Sequence, residues 1–85
     1  MLTENEIFDR IQHVVTETLN VPAAKVTRDA AFRADLGADS LDLVSMITEL
    51  EDAFDHKLND DDAMVLQTVG DAVKFIQETL SGPAN

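Results

Sequence analysis

Apolar residues recur at helical spacing in three long stretches of this chain. Ile7, Ile11, Val14, Val15 and Leu19 define the first face, with Phe8 at its edge. Asp9, Arg10, Gln12, Glu17 and Asn20 fall on the opposite side, free to meet water. Thr3 and Glu6 have capping-box spacing, with Leu2 and Ile7 placed as a hydrophobic staple, so the first helix opens there. Asn20-Val21-Pro22 closes it, because the residue before a proline resists the α conformation.

No period is sustained from Asn20 to Asp39. A short helical turn fits Pro22–Lys25. Val26, Phe32 and Leu36 are spaced as apolar anchors, which points to an ordered loop rather than a free linker. Gly37 suits a turn with positive φ. A second helix begins at Asp39 or Ser40, and Leu43, Met46, Ile47, Leu50 and Phe54 form its core stripe. A narrower stripe of Leu41, Val44 and Thr48 runs beside Glu49, Glu51, Asp52 and Asp55. Apolar positions rimmed by one sign of charge either dock a partner or pack beneath the preceding loop.

Asn59 caps a short third helix whose first turn holds Asp60, Asp61 and Asp62, where the helix dipole favours anions. Ala63, Met64 and Leu66 cover the core. Thr68 and Asp71 open a fourth helix, buried through Val69, Ala72, Val73, Ile76 and Leu80 with Phe75 to one side. Gly82-Pro83 stops it. The pattern therefore predicts an all-α four-helix bundle: three longer helices, one short third helix, and a long ordered loop between helices one and two.

Composition narrows the picture. Eighty-five residues make one domain, spanning 1–85. A chain of this size buries only about 60% of its unfolded surface, so the core must be simple and well packed. There is no cysteine, which excludes a disulfide scaffold and a cysteine zinc site. Seventeen acids oppose six bases, for a net charge of −11. That balance disfavours nucleic acid and anionic membranes as partners and favours basic protein surfaces, met quickly and in a salt-dependent way. No apolar run is long enough to span a bilayer, and Met1-Leu2-Thr3-Glu4 lacks the features of a signal or transit peptide.

Candidate chemistry is sparse. A serine nucleophile needs a base in reach and an oxyanion hole. His56 lies about 24 Å from Ser40 along a helix axis, and His13 is mid-helix one. Leu41 stands where a nucleophile elbow requires glycine. Catalysis is not expected. Nor is a metal site: read as a calcium loop, Asp55–Leu66 has Asp60 where glycine belongs and Leu66 where a bidentate acid belongs. Ser40 itself fits an N-cap. Asp39 caps equally well, which would free Ser40 to face solvent. A helix N-terminus favours a phosphate there, whereas Asp35, Asp39 and Asp42 repel one. Spacing alone does not rank the two effects.

Phe32-Arg33-Ala34-Asp35-Leu36-Gly37-Ala38-Asp39-Ser40-Leu41-Asp42 resembles the signature of acyl carrier proteins, specifically the free-standing kind of dissociated (type II) fatty-acid synthesis. The likeness continues through Leu50-Glu51-Asp52-Ala53-Phe54-Asp55, the acids Asp60–Asp62 and Thr68-Val69, while helix one matches in pattern only. The resemblance implies a non-catalytic carrier whose Ser40 receives 4′-phosphopantetheine from coenzyme A through a phosphopantetheinyl transferase. It implies acyl intermediates held as thioesters on that arm and delivered to acyl-transfer and chain-elongation enzymes with basic docking patches. Asp39, Leu41, Asp42, Val44, Glu51 and Asp52 would face those partners. Leu43, Met46, Ile47, Leu50, Phe54, Met64 and Ile76 would line an acyl-chain pocket within the core. A cytoplasmic monomer fits a shuttle of this kind.

Two positions depart from, or add to, the resemblance. Fatty-acid carriers usually have an acid five residues after the modified serine; here it is Ser45. Arg33 places a cation near the loop. A specialised carrier for a polyketide or a dedicated lipid is the close alternative. Peptidyl carriers fit less well, being less acidic and usually bearing glycine where Ala38 stands. From another class, an acidic interaction module without a prosthetic group would share the charge and the fold but leave Ser40 unmodified.

Overall fold

The computed structural model describes residues 2–80, apart from the side chain of Asp60. In chain order it contains α1 (Glu4–Leu19), a 3-10 turn (Ala23–Lys25), α2 (Ser40–Phe54), the short α3 (Asp60–Met64) and α4 (Val69–Leu80). This is the four-helix arrangement that the periodicity predicts. The proposed stop at Gly82-Pro83 lies outside the described residues.

The helix ends follow from local chemistry. Thr3 Oγ1 accepts the Glu6 N–H at 3.2 Å and Glu6 Oε1 accepts the Thr3 N–H at 3.0 Å, which satisfies two otherwise orphaned donors. The Thr3 backbone N–H, and then its hydroxyl, hold the Glu6 carboxyl below its ordinary pKa. Asn20, at φ 55°, closes α1 in the left-handed conformation. Asn59 Oδ1 accepts the Asp62 N–H at 3.0 Å to start α3. Thr68 and Asp71 form the reciprocal pair that starts α4.

α1 is the hub and packs against both α2 and α4, while α3 packs on α2. Ile7, Ile11 and Val15 from α1 meet Leu43, Met46, Ile47 and Leu50 from α2 and Val69, Val73 and Ile76 from α4 in one apolar core. Among the described residues no polar or charged residue is buried in it. None of the described helices is long and apolar enough to cross a membrane.

The connection between α1 and α2 is ordered, and its anchors are those the sequence marks. Val26, Phe32 and Leu36 are buried, joined by Ala30 and Ala38. Full burial of a side chain such as Phe32 contributes about 1.5–3 kcal/mol. Gln12, expected to face water, is half-buried instead. Its amide donates to the carbonyls of Ala23 and Val26 at 3.0 and 3.2 Å, tying the 3-10 turn to α1. The loop is also stitched to the α3–α4 connection. Phe32 N–H donates to Gln67 O at 2.9 Å, Val69 N–H to Ala30 O at 3.0 Å and Gly70 N–H to Arg28 O at 2.8 Å. Glycine suits position 70 at that crossing, because a Cβ there would sit 3.0 Å from the Arg28 carbonyl oxygen, a tight contact.

Candidate functional site

The site is built where this loop turns into α2. Gly37, at φ 72°, reverses the chain, and Ala38 N–H donates to Phe32 O at 2.8 Å, drawing the two ends of the turn together. Asp35 stabilises the same turn, its Oδ2 accepting the Ala31 N–H at 2.7 Å. Phe32, Leu36 and Ala38 point inward as ballast. Arg33, Ala34, Asp35, Gly37, Asp39 and Ser40 are left on the surface.

Asp39, not Ser40, caps α2. Its Oδ1 accepts the Asp42 N–H at 2.9 Å, and Asp42 Oδ2 accepts the Asp39 N–H at 3.2 Å. Ser40 is the first residue of the helix, exposed, with no capping duty. Its Oγ accepts one hydrogen bond, from Arg33 Nη2 at 3.2 Å. The result is an accessible hydroxyl at a helix N-terminus, beside a guanidinium and next to the capping pair Asp39 and Asp42. Neither histidine shares this site: His13 lines a groove between α1 and α2, and His56 lies beyond the far end of α2. No imidazole stands beside the Ser40 hydroxyl; its hydrogen-bond partner is the Arg33 guanidinium.

Leu41 and Val44 project from the outer face of α2, exposed by 77% and 52%. Thr48 extends that strip, its hydroxyl donating to the Val44 carbonyl at 3.1 Å. The strip therefore does not pack beneath the loop; it faces solvent. Asp52 is exposed at its far end. Glu51 has a second task that spacing did not reveal. It is half-buried, and its Oε2 accepts the Leu58 N–H at 2.8 Å, fixing the chain that leads to α3. Val65, exposed by 73%, adds an apolar residue that sequence reasoning overlooked. It sits one residue beyond α3, where no helical period flags it. Ser45 lies off the strip, in the α1–α2 groove with His13, Glu17 and Glu49.

Beneath the strip the core holds a cavity of only about 10 Å³, barely room for one water. Leu43, Met46, Ile47, Leu50 and Ile76 line it, with Phe32, Leu58, Ala63, Leu66, Ala72 and Phe75. Phe54 and Met64 do not. Phe54 is buried at the far end of α2, under the Arg10 guanidinium at 5.8 Å from its ring centre. Met64 is half-buried and lines an outer groove with Arg33, Ala34, Val65 and Leu66. The resemblance assigns both to the pocket, and it does not distinguish the lining of a cavity from the packing beside it.

Comparison with known proteins agrees with this geometry. The family model for the phosphopantetheine attachment site matches residues 9–76, most of the chain. Among solved structures, the chain is similar to a protein from Mycobacterium tuberculosis assigned as an acyl carrier protein. The two share 34% identity with a TM-score of 0.77, over 84% of this chain and 95% of the other.

Proposed function

The chain belongs to the phosphopantetheine-attachment family of acyl carrier proteins, and from that premise we propose that Ser40 bears the 4′-phosphopantetheine arm and that the protein delivers acyl thioesters to the enzymes of fatty-acid synthesis. Such carrier domains are generally non-catalytic. The observation that carries the proposal is the division of labour at the start of α2: Asp39 caps the helix, so the exposed Ser40 hydroxyl is available for a bond to phosphorus. Attachment by a phosphopantetheinyl transferase forms an Oγ–P bond and breaks the P–O bond to adenosine 3′,5′-bisphosphate, with the hydroxyl proton passing to a base of the transferase. When bound, the arm supplies a terminal thiol that holds acyl groups as thioesters. With no cysteine of its own, the chain offers that thiol no intramolecular competitor.

Leu41, Val44 and Asp52, flanked by the capping carboxylates of Asp39 and Asp42, form the face for basic enzyme surfaces, and Glu51 fixes its far edge. A surface of one sign gives fast, salt-sensitive encounters, which suits a monomeric single-domain shuttle. A free arm thiol is kept reduced in the cytoplasm, which favours that compartment. The acyl chain enters the space lined by Leu43, Met46, Ile47, Leu50 and Ile76 by expanding it, aided by the adaptable Met46. Phe54 and Met64 do not touch that space.

The test is intact-protein mass spectrometry with a transferase and coenzyme A. One arm mass is added to the wild type and none to Ser40→Ala. A wild type that gains no mass leaves an acidic interaction module. Ser45 favours a second reading, a carrier dedicated to a polyketide or particular lipid. It leaves an uncharged side chain in the α1–α2 groove where fatty-acid carriers usually have an acid. Efficient elongation of the loaded protein by reconstituted fatty-acid synthesis enzymes would exclude that reading.

A further inference from the structure

Three arginines serve this acidic chain, and two are committed to its architecture. Arg10 donates to the Ala53 carbonyl and lies over the Phe54 ring. Arg28 pairs with Glu4, donates to Asn5 Oδ1 and lies over the Phe8 ring, clamping the start of α1 to the loop. Arg33 differs. It makes no ion pair among the described residues, and its hydrogen-bond partner is the neutral hydroxyl of Ser40. Yet Asp35, Asp39 and Asp42 are close in sequence, each with an oxygen engaged by a backbone N–H. The turn at Gly37 brings the guanidinium to 3.2 Å from the oxygen that, on the reading above, becomes a phosphate ester.

We propose that Arg33 is the phosphate clamp of this carrier, shifting its N–H donors from the Ser40 hydroxyl to the phosphodiester that modification creates there. This rests on Ser40 being the attachment residue. Modification converts a neutral acceptor into a singly charged one with two free oxygens. A charge-assisted hydrogen bond is roughly twice as strong as a neutral one. The planar fork of a guanidinium matches two phosphate oxygens, as the point charge of lysine cannot. The clamp also offsets the repulsion between the new charge and the three carboxylates, the effect that opposes the helix N-terminus at Ser40. It restrains the root of the arm on the loop side of α2.

The experiment compares unmodified and modified forms of the wild type, Arg33→Gln and Arg33→Lys. Modification should lower the melting temperature of Arg33→Gln by about 2–5 °C relative to its effect on the wild type, the size of an exposed ion pair in a domain of this length. Arg33→Lys should fall between them, and high salt should shrink the difference. The ³¹P signal of the modified wild type should be broader than that of Arg33→Gln, because its diester is held. Equal melting shifts and equal ³¹P line widths in the wild type and Arg33→Gln would overturn the clamp while leaving the carrier reading intact. So would an Arg33→Gln that takes no arm, since Arg33 would then act before the diester exists. A wild type that takes no arm overturns both.

Discussion

At the residue scale, two neighbouring side-chain oxygens divide the work at the start of α2. Asp39 and Ser40 are adjacent and both suited to capping, but the Asp39 carboxylate takes the Asp42 N–H and the Ser40 hydroxyl stays exposed, in contact with Arg33. Ser40→Ala should therefore change stability by less than about 0.5 kcal/mol, as at any exposed site without structural duty. Thermal melting alongside the mass assay checks this; a large loss would mean that the hydroxyl is structural. Glu6 sets a pH-dependent contact at the other end of the molecule. Its folded pKa is depressed by the Thr3 N–H and hydroxyl. It therefore contributes stability above the ordinary carboxylate range and loses it as pH falls through the depressed value. The melting-temperature gap between wild type and Glu6→Gln should be widest at neutral pH and close in acid. A gap that widens in acid would contradict the capping box.

At the scale of elements, the loop between α1 and α2 behaves as a part of the fold and not as a tether. Its backbone bonds to the α3–α4 connection hold the turn that presents Ser40. Gly37→Ala meets no steric obstacle but forces an L residue to φ 72°, which costs about 1–2 kcal/mol. Gly70→Ala sets a Cβ in tight contact with the Arg28 carbonyl oxygen, 3.0 Å away. Both should lower the melting temperature, and Gly70→Ala should also speed amide hydrogen exchange at Phe32 and Val69. Asp39→Ala removes the cap of α2, for about 1 kcal/mol, or roughly 4–8 °C of melting temperature. Unchanged melting would mean that Ser40 takes over as cap, which would weaken the case for its availability.

At the scale of the whole molecule, charge and packing act in opposition. A net charge of −11 on 85 residues repels itself, so salt and divalent cations should raise the melting temperature. A melting temperature independent of ionic strength would show that the acids are too dispersed to interact. The cavity lined by Leu43, Met46, Ile47, Leu50 and Ile76 holds only about 10 Å³. An acyl chain entering there, as proposed, would displace side chains that already pack. Methyl resonances of Leu43, Met46, Ile47, Leu50 and Ile76 should shift on acyl loading, and those of Met64 should shift much less. The reverse pattern would place the chain in the outer groove beside Arg33.

Period and capping chemistry determined the four helices and nearly all of their starts, and marked the apolar strip of α2 without deciding whether it meets solvent. These depend on interactions within a few residues, which a linear pattern records. The family likeness was legible for the same reason, since its signature is a continuous run from Phe32 to Asp42. Tertiary structure alone decided the rest. It moved Gln12 and Glu51 from water to structural hydrogen bonds, joined residues 28–32 to residues 67–70, and separated Phe54 and Met64 from the cavity. It also seated Arg33 on Ser40. Each is a contact between segments whose approach depends on the packing of the whole core, and no local periodicity encodes that distance.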